Sequence, residues 1–567
     1  MFPLAKMFAR HGRFAGLCLL LALNGCTANY YRKSADQAAY GAIKGKTPLV
    51  PDMDPRFTIE QTNQLSLAGL STATDAPQFL GADGEQEVGA HVVNLEQALD
   101  LAVKHNRSYQ SRKEQLYLSG LALTLARHQF APLFSSSAEV DYAVQRSDKI
   151  DQLTGLPLLN DSLVEEAKVT AGGTIGASWL LRDVGRITAA FTADAIRFVT
   201  GDPRLTTSSQ LSATFFRPLL RNAGFKAEAE ALLTAEHQLL YDLRDFTRYR
   251  KEFSVQIATA YYGALGLRDA AKNNFLTLKS SRKNAERTRA MVQEGRITTA
   301  DLGRLEQQEL SAESSWINAV RSYKQALDTF KIQLGLSVDA QIVLNEDDLR
   351  ALQIRHPEIS VDDSIQVALT ARLDYLNTKD QFDDTVRKLD VTVNFLKPSV
   401  DLTASVSPYS NPNLNFSFPD LQRYRWDAGV KVDPGFDRQA ERDAYRSALI
   451  DRNRAARAII QQEDEIKLEV RNSWRTLDQA KRNYEISEIG VKLAERRVEE
   501  QNLRADLGRA NALDQVDAQN ALNESQNQRV QALVTHTIAR LQFWNNMGIL
   551  YIKENGQWED PKHAKAQ

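Results

Sequence analysis

Cysteine is almost absent from this chain of 567 residues. The two cysteines, Cys18 and Cys26, both lie near the N-terminus, which excludes a disulfide framework and a cysteine-ligated zinc site. The eight histidines are scattered and lack the spacing of metal ligands. We therefore expect no metal site, no cofactor and no catalytic residues, and we do not expect an enzyme.

Long apolar runs and an excess of one charge are missing as well. Beyond the N-terminus no apolar run reaches the roughly 18 residues that indicate a membrane-spanning helix. The formal net charge is −2 with 25% charged residues, which gives no indication of nucleic acid binding. Glycine and proline are scarce, at 28 and 16 residues. This composition favours long exposed helices, and the chain length predicts two domains or a repeat.

Residues 1–25 have the pattern of an export signal. Lys6, Arg10 and Arg13 precede the short apolar run "FAGLCLLLAL". The following "LNGC" resembles the lipobox of bacterial lipoproteins, in which the cysteine is acylated and becomes the first residue. An ordinary cleaved signal with a chance cysteine is the alternative. We expect lipidation at Cys26, and Thr27 in place of an aspartate favours the outer membrane by resemblance to lipoprotein sorting.

The body of the chain contains an internal duplication. The amphipathic helical pattern from Leu95 to Pro132 aligns without a gap on a second pattern that ends at Pro398. The same offset places Tyr109 on Tyr375. Each pattern predicts one helix that ends at its proline.

A second ungapped match places "EFSVQIATAYYGAL" on "EIKLEVRNSWRTLD". Its register continues until Gly295 falls on Gly508 and Asp301 falls on Asp514. Two amphipathic helices can align by chance, but chance would not also align the glycine, the arginine after it and the aspartate.

Between the matched helices the apolar period changes from 3.6 to 2, which predicts strands. "FSSSAEVDYAVQ" from Phe134 alternates apolar and small residues with polar and acidic ones, as do "VDLTASV" and "WDAGVKVD" in the second half. "TIGASWLL", "RITAAFTADAIRF" and "SQLSATFF" are further strand candidates in the first half. Each approaches the roughly 9–11 residues of a tilted transmembrane strand. A soluble sandwich alternates in the same way, but the predicted export and lipidation favour a membrane barrel.

Four strands are thus predicted in the first half and two in the second, which gives six per chain. A total of four strands per chain remains the alternative. Neither count closes a membrane barrel alone, because about eight strands are the practical minimum. Since an open sheet edge is not tolerated in lipid, the barrel must be shared between chains. The helical patterns from about Lys226 and from Gln439 continue for roughly 69 residues each, on the order of 100 Å, which suits a tube that crosses the periplasm.

These patterns divide the chain into five regions. Residues 1–25 are the lipoprotein signal peptide, and residues 26–91 are a lipid-anchored, extended linker. Residues 92–350 form the first repeat, and residues 351–552 form the second. Residues 553–567 are a polar tail. The first repeat has a helix at 95–131, strands at 134–217 and a helical hairpin at 226–334; the second has a helix at 362–397, strands at 399–433 and a hairpin at 438–546.

From residue 92 to about 552 the chain resembles the outer-membrane efflux protein family, the TolC-like channels. The resemblance rests on the order and spacing of the duplicated helix–strands–helix plan, its two prolines and its two tip glycines. It implies a mainly α fold with a transmembrane β section, in which a trimeric β-barrel is continued by an α-helical periplasmic barrel. It also implies a homotrimer that works with a periplasmic adaptor and an inner-membrane transporter.

The hairpin tips at residues 295 and 508 are the predicted adaptor contacts. Glycine there permits a sharp reversal of the chain, and the tip residues are Gly295, Arg296, Ile297, Gly508 and Arg509. Beyond each tip, Thr298 with Asp301 and Asn511 with Asp514 have the spacing of a helix cap, and Asp301 and Arg304 are a plausible local pair.

Asp517 lies one turn after Asp514, where no cap explains it. By resemblance, Asp514 and Asp517 line the narrowest aperture of the channel. Because the neighbouring "NALDQVDAQN" offers no cation to offset these carboxylates, we expect the pore to be cation-selective. The gating tyrosine and arginine of the family are replaced by Ala505 and Ala510. The closing bonds must therefore differ, and Arg509 and Arg296 are the nearest substitutes.

Three functions are compatible with the sequence. The first is the passive outer-membrane exit duct of a tripartite efflux system, and the second is the duct of a type I protein secretion system. The third is a lipid-anchored periplasmic coiled-coil adaptor. An adaptor carries one hairpin between lipoyl-like halves, whereas this chain has two hairpins and membrane-type strands.

Overall fold

The computed structural model describes residues 27–60, 67, 69–148, 163–200, 205–295, 298–411, 416–506, 512–553 and 555–559. They form two units, which are described separately. The first unit contains the residues up to Ala42 together with Ser119–Leu239 and Asp380–Arg457. The second contains Ile43–Leu118, Leu240–Lys379 and the residues from Ala458 onwards. Both units are built from segments of both halves of the chain.

In the first half the elements are α1 (Ala28–Lys46), β1 (His91–Val93), α2 (Leu95–His105), α3 (Arg107–His128), β2 (Leu133–Asp148), β3 (Leu163–Leu181), β4 (Gly185–Phe198), β5 (Leu205–Pro218), α4 (Lys226–Gln293) and α5 (Thr299–Gln333). Two 3-10 helices, Thr47–Leu49 and Gln78–Glu87, lie between α1 and β1. None of the helices in the described ranges is long and apolar enough to cross a lipid bilayer.

After α5 the elements are β6 (Ile342–Leu344), α6 (Asp347–Arg350), α7 (Val361–Ala371), α8 (Leu373–Phe395), β7 (Ser399–Tyr409), β8 (Asp420–Asp433), α9 (Gln439–Asp506), α10 (Ala512–Asn546), β9 (Tyr551–Ile552) and β10 (Trp558–Glu559). The long helices α4 and α9 have 68 residues each, and their partners α5 and α10 have 35 each.

The first unit contains one antiparallel sheet of six strands in the order β2-β3-β4-β5-β7-β8. Four strands come from the first half and two from the second, so the larger of the two predicted counts is confirmed. The strand candidate "RITAAFTADAIRF", residues 186–198, lies in β4 between β3 and β5. Strands β2 and β3 are longer than the segments "FSSSAEVDYAVQ" and "TIGASWLL" that predicted them, since β2 continues to Asp148 and β3 begins at Leu163.

The second unit has a helical core in which the aligned positions of the two halves are buried. Leu99 and Ile365 are at most 5% exposed, and so are Ile257 and Val470. Ile365 and Val470 belong to one apolar cluster with Phe543 of α10. The apolar stripes that the sequence shows on these helices are therefore their packing faces.

The expectation of an extended linker at 26–91 is wrong for much of that segment. α1 covers 19 residues, because its alanines favour helix and Ala39 and Ala42 are buried. The 3-10 helix at 78–87 is held by side chains of the second unit. Trp316 donates a hydrogen bond to the carbonyl oxygen of Phe79 (2.7 Å), and Arg268 donates one to the buried carboxylate of Glu87 (2.7 Å).

The single helices expected at 95–131 and 362–397 are each two helices. The breaks lie at Asn106 and Arg372, where ψ is 126° and 121°. At the first break, Asn106 caps α3 by accepting a hydrogen bond from the backbone N–H of Tyr109 (2.8 Å) and donates one to the carbonyl oxygen of Gln333 (2.7 Å). These local bonds compensate for the interrupted helix. Within the expected polar tail, Trp558 and Glu559 form β10, which pairs with β9.

His536 lies fully buried on α10, and neither of its ring nitrogens has a hydrogen-bond partner among the described residues. The rings of His536 and His356 are 6.2 Å apart. Burial, reinforced by the positive charges of Arg540 and Lys481, lowers the pKa of His536 to about 4. The neutral imidazole is therefore the form that the folded chain accommodates.

This burial predicts acid sensitivity. The unfolded chain binds a proton at His536 near pH 6.5, whereas the folded chain resists protonation until about pH 4. The neutral histidine therefore makes its full contribution to stability above pH 6.5. This contribution is lost as the pH falls through the window, and at pH 5 the free energy of unfolding is lower by roughly 2 kcal/mol. In thermal unfolding at pH 7.5 and pH 5, His536→Leu should reduce the acid-induced loss. His128→Leu, at an exposed position of α3, is the control, and equal acid sensitivity of all three proteins would contradict the prediction.

Candidate functional site: the two faces of the sheet and the hairpin tips

The six-stranded sheet separates apolar from polar side chains. The register of the strands places Ile175 beside Phe191 and Phe191 beside Leu211, so these three residues share one face of the sheet. Their chain neighbours Thr174, Thr192 and Gln210 are paired in the same way on the opposite face. The alternation predicted from the sequence is thus kept in register across neighbouring strands.

The apolar face is highly exposed in the single chain. Its large side chains include Val140 and Tyr142 on β2, Ile175 on β3 and Trp426 on β8, which are 64–72% exposed. Between them lie small apolar residues, including Ala171, Ala177, Ala189, Ala213, Ala404 and Ala428. An apolar surface of this extent indicates an apolar partner.

The opposite face carries hydroxyl, amide and charged groups. The hydroxyl oxygens of Thr174 and Thr192 lie 3.4 Å apart, and Ser405 donates a hydrogen bond to Asp427 (2.6 Å). The face also carries Glu139, Asp141, Lys168 and Asp194, by register. Ionised groups at such positions need water or counter-charges.

The sheet ends in two open edges. β2 and β8 each have a neighbouring strand on one side only within the described ranges. Every residue of β2 from Leu133 to Arg146 is exposed, and so is every residue of β8. Their free backbone N–H and C=O groups can pair with further strands.

Ion pairs join the two helices of the first hairpin in the second unit. Arg282 of α4 bonds to Glu313 of α5 (3.0 Å), and Arg289 bonds to Glu306 (2.9 Å). Among the residues that the structure describes, the ion pairs of α9 toward the second tip lie within that helix, for example the pair of Arg504 with Glu500. In their described parts the two hairpins therefore differ in their ion pairs, although their helices have equal lengths.

At the first tip, α4 ends at Gln293 and the backbone of Gly295 is left-handed, with φ of 74°. This conformation favours glycine. Thr298 caps α5, since its hydroxyl accepts a hydrogen bond from the backbone N–H of Asp301 (3.2 Å). The carboxylate of Asp301 also lies 3.9 Å from Arg304, so the sequence-predicted cap and local pair are both present. Arg296 and Ile297 lie outside the described residues.

The second tip is described only from α10 onwards. Gly508, Arg509, Ala510 and Asn511 lie outside the described residues, as does Cys26. Asp514 and Asp517 lie in the first two turns of α10 and both are exposed. Neither carboxylate has a hydrogen bond or ion pair with any residue that the structure describes.

A set of side-chain amides that the sequence did not single out connects α10 to the first hairpin. Gln308 donates to Asn520 (3.0 Å), and Asn273 donates to Asn527 (2.8 Å). Asn523 donates to Asn274, at 3.3 Å. The α10 amides recur three and four residues apart on one helical face, which continues the face of Asp517. The asparagines at this helical spacing in "NALNESQNQ" are the sequence feature from which these contacts could have been predicted.

A large antiparallel sheet with one apolar and one polar face, combined with two long helical hairpins, defines the fold of the outer-membrane efflux channels. Among solved structures, the chain is similar to the Campylobacter jejuni CmeC outer membrane channel, with a TM-score of 0.58 at 12% identity over 91% of this chain and 97% of that one. It is similar to the Vibrio cholerae outer membrane protein VceC, with a TM-score of 0.57 at 14% identity over 80% and 96%. The outer-membrane channel OprN gives a TM-score of 0.58 at 12% identity over 88% and 98%.

No protein-family model matches the sequence, and no characterised protein matches it by sequence. The likeness is therefore one of fold. It confirms, at that level, the resemblance to the TolC-like channels that the duplicated plan of the sequence predicted.

Proposed function

We propose that the protein is the passive exit duct of a tripartite efflux system in the outer membrane. In this proposal it works as a homotrimer with a periplasmic adaptor and an inner-membrane transporter. The two-faced sheet is the observation that carries the proposal, since apolar Ile175, Phe191 and Leu211 lie opposite polar Thr174, Thr192 and Gln210. Lipid outside and water inside would satisfy both faces.

The open edges β2 and β8 support a barrel shared between copies. An exposed edge in lipid leaves backbone groups unsatisfied, and six strands are too few to close a membrane barrel. Three copies with six strands each would give 18 strands, a number at which barrels leave an aqueous channel. Pairing of β8 with β2 of the next copy would remove every edge.

The duplicated hairpins support the periplasmic part of the proposal. Their equal lengths, 68 and 35 residues in both halves, agree with an origin by duplication at the boundaries 92–350 and 351–552. We assign adaptor contact to the tip residues Gly295, Arg296, Ile297, Gly508 and Arg509. We assign the aperture to Asp514 and Asp517, because both are exposed and without a counter-charge among the described residues.

Reconstitution of the purified protein in a planar bilayer tests the proposal. We expect discrete ionic conductance from an assembly that native mass spectrometry weighs as three chains. An assembly of three chains without conductance, or a single chain with conductance, would contradict it. In an export-deficient host, restored growth in the presence of toxic compounds would indicate efflux. Restored release of a secreted protein into the medium would indicate protein secretion.

The lipid anchor is tested separately. Because "LNGC" precedes Cys26, we expect incorporation of labelled palmitate into the protein and its loss in Cys26→Ser. Trimers should still form in the variant, because the barrel contacts do not depend on the anchor. Label that persists in Cys26→Ser would show that the assignment is wrong.

A further inference from the structure

The start of α1 is an exposed turn that combines aromatic and basic side chains. Residues 28–34 are all exposed, and Tyr30 and Tyr31 are 59% and 62% exposed. The two rings contact each other edge to face, with centroids 5.8 Å apart. Arg32 and Lys33 follow directly, and the first turn contains no acidic residue. A helix end that contacts only water rarely exposes two aromatic rings beside two cations, so this combination indicates an interaction surface.

The rest of the helix holds this turn in place. Ala39 and Ala42 are 0% and 4% exposed, so α1 packs on the protein through its later turns. Up to Ala42 the helix belongs to the first unit, which also contains the six-stranded sheet. The exposed turn is thus part of the same compact unit as the surface proposed to face lipid.

We propose that the exposed turn of α1, formed by Tyr30, Tyr31, Arg32 and Lys33, lies in the phospholipid headgroup region of the membrane. Tyrosine favours this region because its ring is apolar and its hydroxyl is polar. Arginine and lysine there are attracted to phosphate groups and anionic headgroups. The inference rests on the proposed outer-membrane placement, and it adds to that placement a contact that is made by the protein surface and does not require the acyl chain.

The chain distance to the proposed anchor agrees with this position. Tyr30 is four residues from Cys26, which limits their separation to about 14 Å even for an extended chain. A lipid on Cys26 and a turn at the headgroups would therefore act on the same patch of membrane. Two such signals together give more stable membrane attachment than one acyl chain.

Spin labels at single cysteines test the inference in the full-length protein in vesicles of phosphatidylcholine with phosphatidylglycerol. Acylated Cys26 does not react with thiol reagents, so Ser34→Cys provides a unique label on the same face of α1 as both tyrosines. Val140→Cys on the apolar face of β2 and Leu276→Cys on α4, which are 72% and 53% exposed, are the lipid and water references. Collisions with dissolved oxygen and with a water-soluble nickel complex are measured at each label.

We expect the label at residue 34 to collide with the nickel complex on the order of threefold less than the label at residue 276, while remaining accessible to oxygen. Tyr30→Ser/Tyr31→Ser should move it to the water value, and Arg32→Gln/Lys33→Gln should do so in part. If the label at residue 34 collides with the nickel complex as often as the label at residue 276 does, while the label at residue 140 is in lipid, the inference is wrong and the proposed function stands. Shielding from both reagents indicates contact with a second copy and also overturns it. A label at residue 140 in water overturns the proposed function itself.

Discussion

Ile175→Lys is expected to abolish stable assembly in the outer membrane, whereas Thr174→Lys is expected to assemble normally. The two residues are neighbours in the middle of β3 but lie on opposite faces of the sheet. A lysine on the lipid face near the bilayer midplane costs about 2–4 kcal/mol, and each trimer would carry three. On the lumen face the same lysine is hydrated.

The measurement is the amount of trimer in the outer-membrane fraction and its dissociation temperature in detergent. Thr174→Lys provides the matched control, because it has the same charge, strand and depth. It should also shift the ion selectivity of the pore toward anions. Normal assembly of Ile175→Lys, or equal loss of trimer in both variants, would contradict the assignment of the two faces.

The second large effect is expected at the aperture. A trimer that presents Asp514 and Asp517 places six carboxylates around one axis. Two charges about 6 Å apart repel by roughly 3 kcal/mol at an effective dielectric constant near 20, before screening by salt. Neither group has a partner among the described residues, so mobile cations should collect at the ring. We therefore expect a cation-selective pore that divalent or trivalent ions block from the periplasmic side.

Single-channel recordings measure this block. Asp514→Ala/Asp517→Ala should remove most of the cation selectivity and the block. Asp517→Ala alone should weaken block more than Asp514→Ala, since Asp514 is the third residue of α10 and is at a position that caps a helix. Asp301→Ala, the equivalent position on the first hairpin, is the control and should leave block unchanged. Unchanged selectivity and block in the double variant would mean that the constriction lies elsewhere.

Much of the fold could be predicted because its apolar periods are long and regular. The alternation of Ile187, Ala189 and Phe191 with polar neighbours was sufficient to place β4 in the sheet. The 3.6-residue period also identified both hairpins. These patterns are strong because each helix buries one continuous face and each strand keeps its apolar residues on one face of the sheet.

Local features that depend on tertiary contacts were not predictable in the same way. The break at Asn106 depends on a bond to the carbonyl oxygen of Gln333, more than 200 residues away in sequence. α1 was not predicted, because the prolines that favour an extended linker all lie after it, from Pro48 onwards. The amide bond between Gln308 and Asn520 joins two helices whose relative rotation only the folded structure supplies.

Electron cryo-microscopy of the intact assembly in lipid nanodiscs tests the proposed duct most directly. We expect three copies around one axis and a closed barrel of 18 strands, with β8 of each copy paired to β2 of the next. Ile175, Phe191 and Leu211 should contact lipid, and Thr174 should face the lumen. A barrel closed by another number of chains, or a lumen lined by the apolar face, would contradict the proposal.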